Sequence, residues 1–108
     1  MINFKDKKII ITGATGGIGY SLVKTFVSLG GNILATGTKT EKLDLLKKEF
    51  PSINILQFDI SDHSKIEEFI ENASSKLDGI DVIVNNAGIN LDNLSLRMKE
   101  DEWKKVID

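Results

Sequence analysis

Small residues crowd into one stretch, Thr12-Gly13-Ala14-Thr15-Gly16-Gly17-Ile18-Gly19. What such residues offer is backbone. They let the main chain approach a phosphate closely, and the unpaired N–H groups at the start of a helix point at it. An apolar run, Ile9-Ile10-Ile11, precedes the stretch, and apolar residues at helical spacing follow it. Strand, glycine turn and helix in that order make a phosphate cradle, the context such a motif requires. The glycines fit two registers. Gly13, Gly17 and Gly19 match T-G-x-x-x-G-x-G, while Gly13, Gly16 and Gly19 match T-G-x-x-G-x-x-G. No Gly-Lys-Ser/Thr follows, which excludes a P-loop.

Three further stretches belong with the cradle. Asn85-Asn86-Ala87-Gly88 leaves a predicted strand. Ligands of open parallel sheets sit beyond the carboxyl ends of the strands, so small residues there would let a ribose and a nicotinamide lie against the backbone. Asp59-Ile60 follows another strand. Its carboxylate can accept from an adenine amino group and Ile60 can line the ring; the alternative is an ordinary helix-entry turn leading to Ser61. Thr36-Gly37-Thr38-Lys39 ends the second strand, and no acid appears before Glu41. An acid at that strand's end would hold a ribose 2′-OH. Its absence removes repulsion toward a 2′-phosphate, to which Thr38 could donate and whose charge Lys39 could offset. The cofactor expected is therefore NADP(H), with NAD(H) second.

The elements that carry these residues alternate regularly. Residues 7–11 read as a buried strand. A helix from about Gly17 shows an inner face of Ile18, Leu22, Val23, Phe26 and Val27, closed by Gly30-Gly31. A strand over residues 32–36 leads to Thr38-Lys39-Thr40-Glu41, which has the capping-box form with Thr38 as N-cap. The second helix buries Leu43, Leu46 and Phe50 and stops before Pro51. Residues 53–58 form the third strand. Ser61 can cap a third helix with Ile66, Phe69, Ile70, Ala73 and Leu77 on one face, broken by Asp78-Gly79. Residues 81–85 form the fourth strand. This alternation predicts an α/β Rossmann-type parallel sheet with helices on both faces and strand order 3-2-1-4. Residues 89–99 read as a loop, and a helix starts near Glu100 with Trp103, Val106 and Ile107 as core or subunit contact.

Composition narrows the class. The chain has 108 residues and a net charge of −2 with both signs mixed, so nothing points to nucleic acid or a membrane surface. No cysteine is present, which excludes disulfides, thiol catalysis and zinc-thiolate sites and fits a cytoplasmic protein. The sole histidine, His63, sits beside Asp62 in a predicted first helical turn and reads as exposed. No Ser/His/Asp constellation or metal-ligand cluster is visible, and no catalytic residue is assigned.

With these motifs in place, the chain resembles a classical short-chain dehydrogenase/reductase from about Lys7 to Asp108. Residues 12–19 match the family's cofactor motif and Asn85-Asn86-Ala87-Gly88 its mid-chain motif; the second selects the classical register of Gly13, Gly17 and Gly19. Within the family, residues 85–94 with Arg97-Met98-Lys99 and Glu102-Trp103 are similar to bacterial 3-oxoacyl-[acyl-carrier-protein] reductases. The resemblance implies NADPH-dependent reduction of an acyl-carrier-protein thioester in fatty-acid biosynthesis, in a cytoplasmic homotetramer. It places Gly13, Ala14, Thr15, Gly16 and Ile18 at the cofactor phosphates and ribose and Thr38 at the 2′-phosphate. Asp59 and Ile60 fall at adenine, and Asn86, Ala87 and Gly88 on the nicotinamide side. One departure is Gly16, where many NADPH-using members carry Arg or Lys; Lys39 is left as the nearest basic candidate.

The family's catalytic Ser, Tyr and Lys lie in its second half. Tyr20-x-x-x-Lys24 has the spacing but sits on the first helix and reads as coincidence. Residues 1–108 are therefore expected to be the N-terminal part of a single NAD(P)-binding Rossmann domain, a truncated piece inactive alone. Two alternatives stand beside the reductase. One is a sister dehydrogenase acting on an alcohol, sugar or steroid; the other is a non-catalytic dinucleotide-binding module.

Overall fold

A computed structural model of the chain describes residues 4–59 and 61–86, and the backbone of residues 95–97. Five strands form one sheet in the order β3-β2-β1-β4-β5. The strands are β1 (Lys8–Ile11), β2 (Asn32–Gly37), β3 (Asn54–Gln57), β4 (Val82–Asn85) and β5 (Ser95–Arg97). Between them run α1 (Gly17–Ser28), α2 (Thr40–Glu49) and α3 (Ile66–Leu77), the last preceded by a 3₁₀ turn, His63–Lys65. The expected parallel order 3-2-1-4 is present, with Ile10 alongside Leu34 on one side and Ile83 on the other.

Side chains alternate across a strand, so one β-branched run serves two cores. Ile9 and Ile11 pack with Val23, Phe26, Leu43 and Leu46 under α1 and α2. Ile10 packs with Ile66, Phe69, Ile70, Ala73 and Leu77 under α3. All three isoleucines are inaccessible to solvent, which fixes β1 as the centre of the sheet. The lower end of β1 is tied to β4 by a reciprocal pair. The Lys8 N–H donates to Asp81 Oδ2 at 2.8 Å, and the Asp81 N–H donates to the Lys8 carbonyl at 2.8 Å.

The helix ends follow glycine and aspartate chemistry. Gly30, at φ +84°, lets the chain turn after α1 while its N–H returns to the Val27 carbonyl and that of Gly31 to Phe26. Asp78 takes the left-handed conformation after α3, which aspartate tolerates better than most residues, and Gly79 continues the turn at φ +118°.

Several local expectations are corrected. Ile18 is 39% exposed, because the buried line of α1 runs through Gly19, Val23 and Phe26, one step out of phase with it. The Thr38 capping box does not form; α2 begins at Thr40, with Lys39 at the cap position and no side-chain cap. Ser61 does not cap α3 either, because its hydroxyl is taken by Asp59 and the 3₁₀ turn intervenes. Phe50 is half-buried against Tyr20. Part of the expected loop, Ser95–Arg97, is a strand antiparallel to β4. Residues 86–94 are too few for the crossover of about a dozen residues that a parallel return requires, so the chain comes back antiparallel. The helix expected near Glu100 lies outside the described residues.

Phe69 is 4% exposed and stacks on Phe58 with ring centroids 4.3 Å apart. Phe69→Ala is expected to cost about 3–5 kcal/mol. Urea unfolding of the variant against the parent chain measures it.

Candidate functional site

The four parallel strands end at one edge, and the candidate residues sit there. Gly13 follows β1 at φ +61°, a conformation that favours glycine. The turn is pinned on two sides. The Ala14 N–H donates to the Thr36 carbonyl of β2 at 3.1 Å. On the β4 side, Thr12 Oγ1 accepts from the Asn86 N–H at 2.9 Å, and its own hydrogen faces Asn85 Oδ1 at 3.2 Å and the Val84 carbonyl at 3.4 Å. Asn86 Nδ2 completes the latch by donating to the Gly13 carbonyl at 3.2 Å. Residues more than seventy positions apart thus hold the glycine turn against the end of β4.

The glycines divide by what surrounds them. A Cβ on Gly19 would stand 2.1 Å from the Gly13 carbonyl oxygen and 2.6 Å from the Ala14 Cα. Both are backbone atoms that cannot step aside, so Gly19 lets α1 sit on the turn. A Cβ on Gly17 would meet nothing within 4 Å, and one on Gly16 would meet only the Gly13 oxygen at 3.8 Å. Among the described residues, none beyond its own helix and chain neighbours fills the space at Gly17. Gly17 is the first residue of α1, whose N-terminus has no side-chain cap and no acidic residue in its first turn. A helix start of that kind favours an anion. The residues present fit a pyrophosphate.

The remaining candidates are placed less tightly. Ala14 is buried, and Thr15 stands over the end of β2, its Oγ1 3.4 Å from where a Cβ on Gly37 would be. Thr38 and Lys39 are exposed at the end of β2, where Gln57 Nε2 donates to the Thr38 carbonyl at 3.3 Å. Asp59 is exposed at the end of β3 and turned inward on its own loop. Its Oδ1 accepts from the Ser61 hydroxyl at 2.7 Å and the Ser61 N–H at 3.0 Å. Those bonds, the hydroxyl first, hold its carboxyl below the usual range. Ile60, Ala87 and Gly88 lie outside the described residues.

Tyr20 donates its hydroxyl to Glu49 at the end of α2, and that bond, with burial and the Glu49 charge behind it, raises the phenol. It is engaged between α1 and α2. Among the described residues, no group of three or more His, Cys, Asp or Glu could hold a metal ion, and no helix is long and apolar enough to cross a membrane.

A family model of short chain dehydrogenases matches residues 7–108. The chain belongs to the short-chain dehydrogenase family. Among curated members of it, the chain is 33% identical over 108 residues to 3-oxoacyl-[acyl-carrier-protein] reductase FabG of Salmonella typhimurium, and 37% identical over 108 residues to that of Rickettsia typhi. It spans 44% of the length of each, while they cover 99% and 100% of it. Solved short-chain dehydrogenases share the fold. One from Brucella melitensis, named a glucose/ribitol dehydrogenase, superposes with a TM-score of 0.73 at 29% identity. That match covers 82% of this chain and 39% of the other. An apo SCOR enzyme from Clostridium thermocellum gives 0.70 at 30% identity over 78% and 35%.

Thr12 opens the glycine motif, but the motif assigns it no contact; the structure makes it a positioning residue. Its signal in the sequence was a hydroxyl placed directly after the apolar run, with paired asparagines at the end of another strand.

Gly19→Ala is expected to lower the thermal midpoint sharply or prevent folding, whereas Gly17→Ala is expected to leave it unchanged or raise it slightly, since alanine is the better helix former. Circular dichroism melts of the two variants test the division. Ser61→Ala removes the stronger of the two bonds to Asp59 and is expected to return its pKa toward the ordinary value of about 3.9. An NMR pH titration of the Asp59 carboxyl reads this directly. The bonded carboxylate favours the folded state above the ordinary range, and that contribution fades as pH falls through the lowered value.

Proposed function

We propose that this chain grips a nicotinamide dinucleotide, NADP(H) in preference to NAD(H), as the N-terminal part of an oxidoreductase. The observation that carries the reading is the uncapped start of α1 with open space over Gly17, latched through Thr12 and Asn86 to the end of β4. In this reading residues 13–19 hold the pyrophosphate with backbone N–H groups, and Thr38 lies beside the ribose 2′-phosphate, whose charge a lysine near the start of α2 offsets. Asp59 and Ile60 flank adenine, while Asn86, Ala87 and Gly88 back the nicotinamide side. The acid-free end of β2 supports the phosphorylated ribose. The cofactor supplies a hydride when bound. The residues here bind and orient it, and no acid or base among them is placed to move a proton.

The relatives' names support 3-oxoacyl-acyl-carrier-protein thioesters as the substrate class, and with it a place in fatty-acid biosynthesis. The proton to the substrate carbonyl would come from residues outside this chain, which is why the 108-residue piece is expected to be inactive alone. A soluble, cytoplasmic homotetramer is the matching assembly. The name of a solved neighbour, a glucose/ribitol dehydrogenase, supports a second reading, a sugar or other alcohol as substrate.

Fluorescence titration of the complete protein with NADPH and NADH tests the cofactor. NADPH is expected to bind at least about tenfold more tightly, and a preference for NADH overturns the reading. Turnover of an acetoacetyl thioester against ribitol and simple alcohols then separates the substrate classes.

A further inference from the structure

A cleft of about 300 Å³ opens beside the glycine turn and runs between α1 and α2. One wall is Ala14, Thr15 and Tyr20; the other is Lys42, Leu45, Leu46 and Glu49. The second set falls at i, i+3, i+4 and i+7 on α2, one face of the helix. Lys42 is the cation on that face. Lys39 is not on it: it precedes the helix with an extended backbone, φ −110° and ψ 108°, and does not line the cleft.

Helical side chains lean toward the helix N-terminus. α2 starts just after the end of β2, so Lys42, in its first turn, leans toward the end of the cleft that holds Thr15, the residue standing over Gly37. Its ammonium makes no hydrogen bond or ion pair with the described residues. The carboxylate of the cleft, Glu49, stands two turns away and accepts the Tyr20 hydroxyl. The cleft is therefore cationic where it meets the cradle, and its anion is tied at the far end. An ammonium on a flexible four-carbon stem suits a phosphate as a point charge.

We propose that Lys42, rather than Lys39, meets the ribose 2′-phosphate, with the Thr15 hydroxyl donating beside it. This rests on the NADP(H) reading above.

The test is calorimetric titration of 2′,5′-ADP and 5′-AMP into the full chain and its Lys42→Gln, Lys42→Arg and Lys39→Gln variants. Both lysines are exposed, and unchanged melting midpoints establish that the variants fold. The parent is expected to prefer 2′,5′-ADP. Lys42→Gln is expected to lose about tenfold in affinity for 2′,5′-ADP with 5′-AMP unchanged. Lys42→Arg retains the preference, and Lys39→Gln alters neither nucleotide. Added salt should erode the parent's preference and leave that of Lys42→Gln flat. If Lys42→Gln keeps the preference, or Lys39→Gln loses it, the assignment of Lys42 falls while the cofactor reading stands. A parent that does not distinguish the two nucleotides overturns both.

Discussion

The start of α1 lies so close to the glycine turn that position 19 has no room for a side chain. A single methyl would collide with the Gly13 oxygen and the Ala14 backbone. Because the helix is pressed onto the turn, its N-terminal amides reach the carboxyl edge of the sheet. That contact also sets how α1 lies over Ile9, Ile11, Ile33 and Ala35, so the packing of one face and the geometry of the cradle have the same cause. Close approach of this kind trades a core contact for backbone proximity, which is why glycine and not alanine meets the need.

The site is otherwise made of hydrogen bonds between strand ends. Thr12 and Asn86 join β1 to β4, Ala14 joins the turn to β2, and Gln57 reaches across from β3 to Thr38. Each bond satisfies a polar group where strands stop pairing and the ladder no longer does so. The amides opening α1 and the ammonium of Lys42 are exposed and have chemistry to offer a ligand.

Much of this was legible in the residues. Ile9-Ile10-Ile11 could only be a strand covered on both faces, and the spacing of Ile66, Phe69, Ile70, Ala73 and Leu77 gave the buried face of α3 without error. The errors fell where local chemistry had competing outlets. Ser61 has the chemistry of a helix cap, but the 3₁₀ turn His63–Lys65 moves the start of α3 to Ile66, and the Ser61 hydroxyl turns to Asp59 instead. Thr38-x-x-Glu41 had the form of a capping box, but β2 runs one residue further, to Gly37, and pairing with β3 delays the helix. Ile18 fits the apolar spacing, yet the close approach at Gly19 rotates the helix and turns Ile18 outward. Asn86 and Thr12 both stand in recognisable patterns, but the bond between them does not show, because a contact spanning most of the chain leaves no local trace in a single sequence.

That span has a kinetic meaning. The glycine turn is contiguous, but the bonds that hold it to β4 close loops of 72 to 74 residues. β1 emerges first from synthesis and waits for β4, with three helices and two strands between them, before its second edge is paired. Contacts of such separation are slow to form, because loop closure must precede any gain from pairing. The cradle is thus among the last parts of the molecule to be finished, although its sequence is among the first to be made. Protection of the Thr12 and Asn86 amides from hydrogen exchange would then report completion of the whole sheet and not a local event.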